Sequence, residues 1–237
     1  RTTYPCPHPR RYPQVHPSCR AYPQLVIHHF RCCRCSVHTA RMGHSSVLIV
    51  PPADTTDRAQ ASTPVRLIRG VSAALPLDPA NASPWEVWHA VALARMYAVN
   101  ASHEQAPVFI GQSCLRLLGI QGWSHNPPIT IYRPKRRCTS ALPACSVGST
   151  TVPPTSVSCS PFPPLSEERV TTNGLVTEHP YDALVRCALH EDPLEAFVLG
   201  CMALNAWSHF SMFRQEECRR RAEEIRADLL RRLERAG

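Results

Sequence analysis

The sequence predicts an α/β protein of the α+β kind. We expect a small mixed or antiparallel sheet with an Asn-Gly hairpin, packed by several helices, with a long C-terminal helix and a disordered N-terminal tail. Three observations support this class. Short β-prone runs bounded by glycine and proline alternate with helical periodicities from residue 65 onward. Asn173-Gly174 separates two β-prone arms, which is a strong hairpin signal. Residues 212–236 carry apolar side chains at helical spacing among mixed charges.

Residues 1–64 form the predicted tail, which is rich in proline, arginine and cysteine. Each proline disfavours helical geometry in the residue before it, so the repeated Tyr-Pro pairs predict irregular chain. Residues 1–53 contain seven arginines and no carboxylate, so this segment dominates the net charge of +8. An acid-free, Arg-rich segment is typical of a targeting peptide, but the prolines prevent the amphipathic helix that such a peptide needs. The alternative is that residues 1–41 precede a start at Met42 and are not native.

Residues 65–207 are predicted to form the folded domain, because regular periodicities begin there. Asn81-Ala-Ser83 supplies helix-capping side chains directly before Pro84, a residue favoured at the first position of a helix. Ser113 is expected to cap a short helix that stops at Gly119. The elements predicted for the first half are a strand at 65–71, a helix at 84–99, a buried strand at 107–111, a helix from Ser113 to Leu118 and a strand at 129–132.

In the second half, Asn173-Gly174 supplies the two positive-φ positions of a type I′ turn. The segment 208–237 is a charged helix in which acids precede arginines by four residues, the favourable order. Because the chain stops at Gly237 directly after this helix, we expect it to be truncated. The elements predicted here are an exposed loop at 134–156, a strand at 156–160, a hairpin at 169–177, helices opening at Pro180 and Pro193, and a helix at 212–236.

The twelve cysteines are too few for a disulfide scaffold in a chain of this length. Cys114, Cys187 and Cys201 fall on apolar helix faces, where a free cysteine behaves as a small hydrophobic residue. This pattern predicts reduced thiols in a reducing compartment, and therefore a cytoplasmic protein. No run of 18 apolar residues exists, so no membrane span is expected.

The strongest candidate for a metal site is the C-x-x-C pair Cys32 and Cys35, with His28 or His38 to complete a tetrahedral zinc site. No second pair follows at zinc-finger spacing, so we expect neither metal nor cofactor. The adjacent acids Glu167-Glu168 and Glu223-Glu224 are typical of solvated surfaces rather than of acid–base pairs. No cysteine has the context of a nucleophile, and no glycine-rich loop could cradle phosphate. The sequence therefore predicts no enzyme and no small-molecule substrate.

Residues 54–237 are nearly neutral in total, but they contain one dense basic run directly after a predicted strand. Its members are Arg133, Lys135, Arg136 and Arg137. Such a run can bind the phosphate backbone of nucleic acid or an acidic partner. The alternative is a solvated loop that keeps a strand edge soluble.

Six segments resemble, in order, motifs of AbiEi-family antitoxins of actinobacterial type. These segments are 66–71, 84–85, 109–119, 129–137, 170–185 and 193–196, so the first and the last lie near the two ends of residues 65–207. Residues 66–71 resemble the strand that closes the family's winged helix. The resemblance implies a non-enzymatic, antitoxin-like transcriptional regulator of a type IV toxin–antitoxin system. It implies duplex DNA and a cognate nucleotidyltransferase toxin as partners. The implied nucleic-acid-binding residues are Arg66, Arg69, Arg133, Lys135, Arg136 and Arg137.

The sequence departs from the family pattern at several positions. Gly111 and Gln112 stand where the family has serine and histidine, Leu118 replaces a second histidine, and Asp182 replaces an arginine. The helices of an N-terminal helix-turn-helix are not recognisable before residue 65. Two other functions stay open: an accessory region of a restriction-endonuclease-like protein without its catalytic domain, and an organellar or ribosomal assembly protein with a basic tail.

Overall fold

The structure is a computed structural model that describes residues 39–42, 45–49, 65–68, 71–75, 77–134 and 139–236, with side chains from residue 65 onward. All of these residues belong to the unit Cys35–Gly237, and the other unit, Arg1–Arg34, lies outside them. Their strands and helices confirm the predicted mixed α+β class. Within these ranges, no helix is both long enough and apolar enough to cross a bilayer.

The elements are numbered in chain order. The strands are β1 (Thr39–Met42), β2 (Ser45–Ile49), β3 (Val65–Ile68), β4 (Val71–Ala74), β5 (Val108–Phe109), β6 (Ile129–Tyr132), β7 (Thr139–Leu142), β8 (Cys145–Val147), β9 (Thr150–Val152), β10 (Thr155–Cys159), β11 (Arg169–Thr172) and β12 (Leu175–Glu178). The helices are α1 (Pro84–Ala101), α2 (Gln112–Leu117), α3 (Pro180–His190), α4 (Pro193–Trp207) and α5 (Gln215–Ala236).

The first sheet has the order β1-β2-β4-β3, with β2 parallel to β4 and the other pairs antiparallel. The strands β1 and β2 lie within residues 1–64, where the sequence predicts irregular chain. The Val-Leu-Ile run of β2 has strand propensity, but the prolines around it outweigh that signal in the sequence. The rest of residues 1–64 lies outside the described residues. The predicted strand at 65–71 is confirmed as β3, but it ends at Ile68, and Val71 begins a second, antiparallel strand, β4.

The second sheet has six strands in the order β11-β12-β5-β6-β10-β7. The pairs β12–β5 and β6–β10 are parallel, and the other three pairs are antiparallel. The predicted strand at 107–111 becomes the short, central β5, and the predicted strands at 129–132 and 156–160 become β6 and β10. These three predictions are confirmed.

The prediction of an exposed loop at 134–156 is wrong. This region contains β7, the antiparallel pair β8–β9 and the start of β10. Each of the short strands directs one or two apolar side chains inward, including Leu142, Cys145, Val147 and Val152, while its serines and threonines face outward. The outward residues dominate the composition, and a strand of three or four residues is too short to show its alternation clearly.

The helix α1 begins where the sequence predicts. The Ser83 side chain accepts a hydrogen bond from the Glu86 backbone N–H at 3.3 Å, and the Glu86 carboxylate accepts one from the Ser83 N–H at 2.8 Å. These two bonds form a capping box, and Pro84 occupies the first helical turn. The helix continues to Ala101, two residues beyond the predicted end.

The short helix α2 is confirmed in its place, but its cap is not Ser113. Gly111 is the N-cap residue and has a positive φ of 54°. The Ser113 hydroxyl instead accepts a hydrogen bond from the Thr130 N–H at 2.8 Å, which joins α2 to β6. The residue after the helix C-cap, Gly119, has a φ of 79°, which ends the helix as the sequence predicts.

The predicted hairpin is confirmed, since Asn173 and Gly174 have φ values of 52° and 77° between the paired strands β11 and β12. The hydroxyl of Tyr97 on α1 donates to the Asn173 carbonyl at 2.7 Å. The helices opening at Pro180 and Pro193 are confirmed as α3 and α4. The C-terminal helix is confirmed as α5, with the predicted pair Glu217–Arg221 at 2.9 Å.

Two apolar cores hold these elements. The larger lies around α1 and the strands of both sheets, with Leu67, Val91, Phe109 and Ile131 among its buried members. The smaller lies between α2, α3 and α4, and includes Cys114, Leu115, Cys187 and Leu199. The predicted burial of Cys114 and Cys187 is confirmed, but Cys201 is exposed because it lies on the outer face of α4.

Candidate nucleic-acid interface

The end of β6, the end of β10 and the start of β7 lie together at one edge of the six-stranded sheet. The register sets this arrangement, since β6 and β10 are parallel and Ser158 on β10 opposes Thr139 on β7. The Asn173-Gly174 turn lies at the same edge, because β12 starts there and runs parallel to β5, whose Val108 opposes Tyr132. The predicted basic run leaves the sheet at this edge, directly after Tyr132.

The structure describes two of the six predicted nucleic-acid-binding residues. Arg133 follows β6 and is half-buried, and Arg66 lies exposed on β3, an edge strand of the four-stranded sheet. The other four, Arg69, Lys135, Arg136 and Arg137, lie outside the described residues. Arg66 and Arg133 belong to different sheets. Among the described residues, no side chain forms an ion pair with either of them, which leaves both positive charges uncompensated in this part of the protein.

The opposite edge of the six-stranded sheet holds a buried polar cluster that the sequence did not indicate. Glu178 ends β12 and is fully buried. Its carboxylate accepts hydrogen bonds from the Gly111 N–H at 2.6 Å and from the Arg186 guanidinium at 3.2 Å. Arg186 also donates to the Pro163 carbonyl at 2.6 Å. Burial raises the pKa of Glu178, while the Arg186 charge and the Gly111 N–H act in the opposite direction.

A second buried cluster joins α2 to α4. The Glu195 carboxylate accepts hydrogen bonds from the Gln112 side-chain amide and from the Ser124 N–H, the latter at 2.9 Å. Arg116 donates to the carbonyls of Ser124 and His125 at 3.3 and 3.1 Å. Burial lowers the pKa of Arg116 to about 10, and the Glu195 charge opposes that fall. The cluster therefore fastens the loop after α2 to the first turn of α4.

A third cluster joins α5 to α3. Asp182 accepts hydrogen bonds from the Ser166 hydroxyl at 2.5 Å and from the Arg232 guanidinium at 2.7 Å. Arg232 also pairs with Asp228 and Glu168, each at 3.4 Å. The role of this cluster is to hold the long C-terminal helix on the domain.

These clusters contain three of the four positions at which the sequence departs from the AbiEi pattern. Gly111 donates to Glu178, Gln112 donates to Glu195, and Asp182 binds Ser166 and Arg232. Within the first cluster, Glu178 and Arg186 are eight residues apart, but Glu178 ends a strand and Arg186 lies in a helix, so no single periodicity joins them.

Two buried cysteines of the smaller core and two acids of α5 can be described individually. Burial raises the pKa of Cys114 to about 12, and it also raises the pKa of Cys187, so both thiols stay protonated at neutral pH. Glu223 and Glu224 are exposed on α5, as expected for a solvated face. The candidate zinc ligands His28, Cys32, Cys35 and His38 lie outside the described residues. Among the residues from 65 to 236 that the structure describes, no group of three potential ligands could hold a metal ion.

Comparisons of the chain with protein-family models, with curated proteins and with solved structures find no match. The AbiEi resemblance therefore depends on the order of the six segments alone.

Proposed function

We propose that this protein is a non-enzymatic, antitoxin-like transcriptional regulator of the cytoplasm that binds duplex DNA and opposes a nucleotidyltransferase toxin. The observation that carries the proposal is that three of the AbiEi-like segments, 109–119, 129–137 and 170–185, contribute the adjacent strands β5, β6 and β12. Segments that resemble one family in sequence order thus also form one continuous structural unit.

The basic edge of the six-stranded sheet is the proposed DNA contact. Arg133 begins the run there, and the three following basic residues continue the connection to β7. Elsewhere in the described body, several arginines are paired with acids, as Arg186 is with Glu178 and Arg232 with Asp182. Unpaired positive charge is what the phosphate backbone attracts, and its release of counterions makes binding dependent on salt.

The test compares two variants of the full chain with equal loss of charge. In the first, Arg133, Lys135, Arg136 and Arg137 are each replaced by glutamine. In the matched control, the N-terminal Arg10, Arg11, Arg20 and Arg31 are replaced by glutamine. Affinity for a duplex from the protein's own promoter is measured by fluorescence anisotropy over a series of salt concentrations. The full chain is used because β1 and β2 pair within the four-stranded sheet.

We expect the first variant to reduce the slope of log affinity against log salt by about three to four, since roughly one unit is lost per phosphate contact. The control keeps Arg133, Lys135, Arg136 and Arg137. We therefore expect it to retain the part of the salt slope that these residues contribute. Equal binding by wild type and the first variant would assign the run to a solvated loop. No binding by any form would remove DNA from the proposal and favour an accessory region of a nuclease-like protein.

A further inference from the structure

An apolar surface covers the outer face of α4 and the turn that follows it. We call it the α4 patch, and its members are Leu194, Phe197, Cys201, Met202, Phe210, Met212 and Phe213. Phe197 is 68% exposed and Phe213 is 95% exposed. Leu194, Phe197 and Cys201 recur at spacings of three and four residues, so they lie on one side of α4, and Met202 lies next to them at its border.

Of the 15 residues of α4 only Glu195 and Asn205 are polar, yet the fold covers only one side of the helix. Leu199 and Ala203 are fully buried in the core with α2 and α3, while the α4 patch faces outward. A helix that is apolar all round is normally covered on all sides. With about 150–250 Å² for each large aromatic side chain, the exposed patch amounts to several hundred Å². This exposed area is at or above the roughly 300–600 Å² of the largest apolar patch on a typical monomer. It is near the roughly 800 Å² that each partner of a stable dimer buries.

We propose that the α4 patch is the surface through which two copies of this chain associate, with their α4 helices antiparallel about a two-fold axis near Cys201. A two-fold interface brings the same surface of both copies together. Gly200 and Cys201 lie at the middle of the helix, and a Cβ atom added at Gly200 would meet nothing within 4 Å. Small residues at the crossing point let two helices approach closely.

The charges at the two ends of α4 favour this partner and this direction. Glu191 and Asp192 are exposed at the start of the helix. Arg214 is exposed seven residues beyond its end, where the exposed Glu216 and the half-buried Glu217 follow it in the first turn of α5. The guanidinium of Arg214 has a long 3.8 Å contact with Glu217, and its side chain is 73% exposed. In an antiparallel pair, the acidic end of one copy lies beside Arg214 of the other. A parallel pair would place acid beside acid, and it would also align the helix dipoles unfavourably.

The association test uses the full chain without DNA, so its result does not depend on the proposed regulation. Sedimentation velocity over a concentration series measures the dimer dissociation constant of the wild type, of Phe197→Glu and of Trp85→Glu. Trp85 is also an exposed aromatic residue, but it lies on α1. We expect Phe197→Glu to weaken the dimer at least about tenfold and Trp85→Glu to leave it unchanged. A wild type that stays monomeric, or a dimer equally affected by both changes, overturns the proposal.

The orientation is tested by charge reversal. Glu191→Arg and Arg214→Glu are each expected to weaken the dimer by roughly threefold to tenfold, and the double variant is expected to restore it. Losses that simply add in the double variant would overturn the antiparallel arrangement. Both side chains are exposed, and circular dichroism checks that each variant is folded.

The position of the axis is tested by a short bis-maleimide, whose two ends each add one thiol. We expect the wild type to give a covalent dimer in which peptide mapping finds Cys201 linked to Cys201, and Cys201→Ser to lose that link. A dimer in solution without this link would overturn the placement of the axis near Cys201. The mapping of the Cys201–Cys201 link itself uses only the wild-type chain, and Cys201→Ser serves as its control.

Discussion

Glu178 and Arg186 form a buried ion pair that joins the end of β12 to α3, with the guanidinium 3.2 Å from both carboxylate oxygens. The same carboxylate accepts the Gly111 N–H, so one buried side chain fixes the start of α2 relative to α3. Both helices follow the parallel strands β5 and β12, at the edge of the sheet where such folds often bind ligands. In this protein the Glu178 carboxylate occupies the position between α2 and α3.

We expect removal of one partner of this pair to destabilise the protein strongly. Arg186→Met leaves the Glu178 charge buried without its partner, at a cost of about 3–5 kcal/mol in the free energy of unfolding. The double variant Glu178→Gln/Arg186→Met removes both charges and should recover part of that loss. Urea denaturation followed by circular dichroism measures the wild type, Glu178→Gln, Arg186→Met and the double variant. If the double variant loses the sum of the two single losses, the side chains act independently and the pair is not what joins the elements.

The Asn173-Gly174 turn should tolerate no β-branched residue at its second position. Gly174 has a φ of 77°, and nothing lies within 4 Å of a Cβ atom added there, so any cost is conformational rather than steric. We expect Gly174→Val to lower the free energy of unfolding by about 1–3 kcal/mol. Gly200→Ala is the matched control, because the helical position also has open space. It should raise stability by roughly 0.5–1 kcal/mol.

Two histidines should make the fold less stable in mild acid. Burial, followed by the nearby Arg116 charge, lowers the pKa of His89, and burial with Arg232 lowers that of His179. The unfolded chain therefore binds protons more readily than the folded chain. Stability is highest above the unfolded pKa of 6.5 and falls as the pH drops below it. Urea denaturation between pH 8 and pH 5 should show this fall, and His89→Gln/His179→Gln should flatten it. An unchanged pH profile in the double variant would assign the acid sensitivity to other groups.

The elements with strong local signals could be predicted from the sequence, and those whose identity depends on pairing could not. Pro84, the Asn173-Gly174 turn and the helical spacing of α5 act within a few residues, so the pattern shows them directly. In contrast, β7, β8 and β9 are three or four residues long and become strands through partners elsewhere in the chain. Composition alone makes such segments resemble a loop.

The same contrast between local signals and distant partners explains why the basic run could be predicted and the buried polar clusters could not. The run from Arg133 to Arg137 is contiguous, so its charge is evident from the sequence. The partners of Gln112 and Asp182 are 83 and 50 residues away along the chain, and no local pattern joins them. At Ser113 a distant partner prevails over a local signal. Its hydroxyl could cap α2, but it accepts a hydrogen bond from the Thr130 N–H instead.

Gly122 should be intolerant of any side chain, because the Glu195 carboxylate fills the space beside it. A Cβ atom at this position would overlap the Glu195 Oε1 atom and lie 2.7 Å from its carboxyl carbon. Gly122→Ala should therefore displace the carboxylate from the Gln112 amide and the Ser124 N–H, at a cost of about 2–4 kcal/mol. Thermal and urea denaturation measure the loss.

A double-mutant cycle identifies the displaced group in Gly122→Ala. Glu195→Ala alone leaves the Ser124 N–H and the Gln112 amide without their acceptor, at a cost of about 1–3 kcal/mol. In Gly122→Ala/Glu195→Ala the overlap no longer exists, so the double variant should be about as stable as Glu195→Ala and clearly less destabilised than the sum. Additive losses would mean that the alanine at position 122 disturbs the loop backbone itself, independently of the carboxylate.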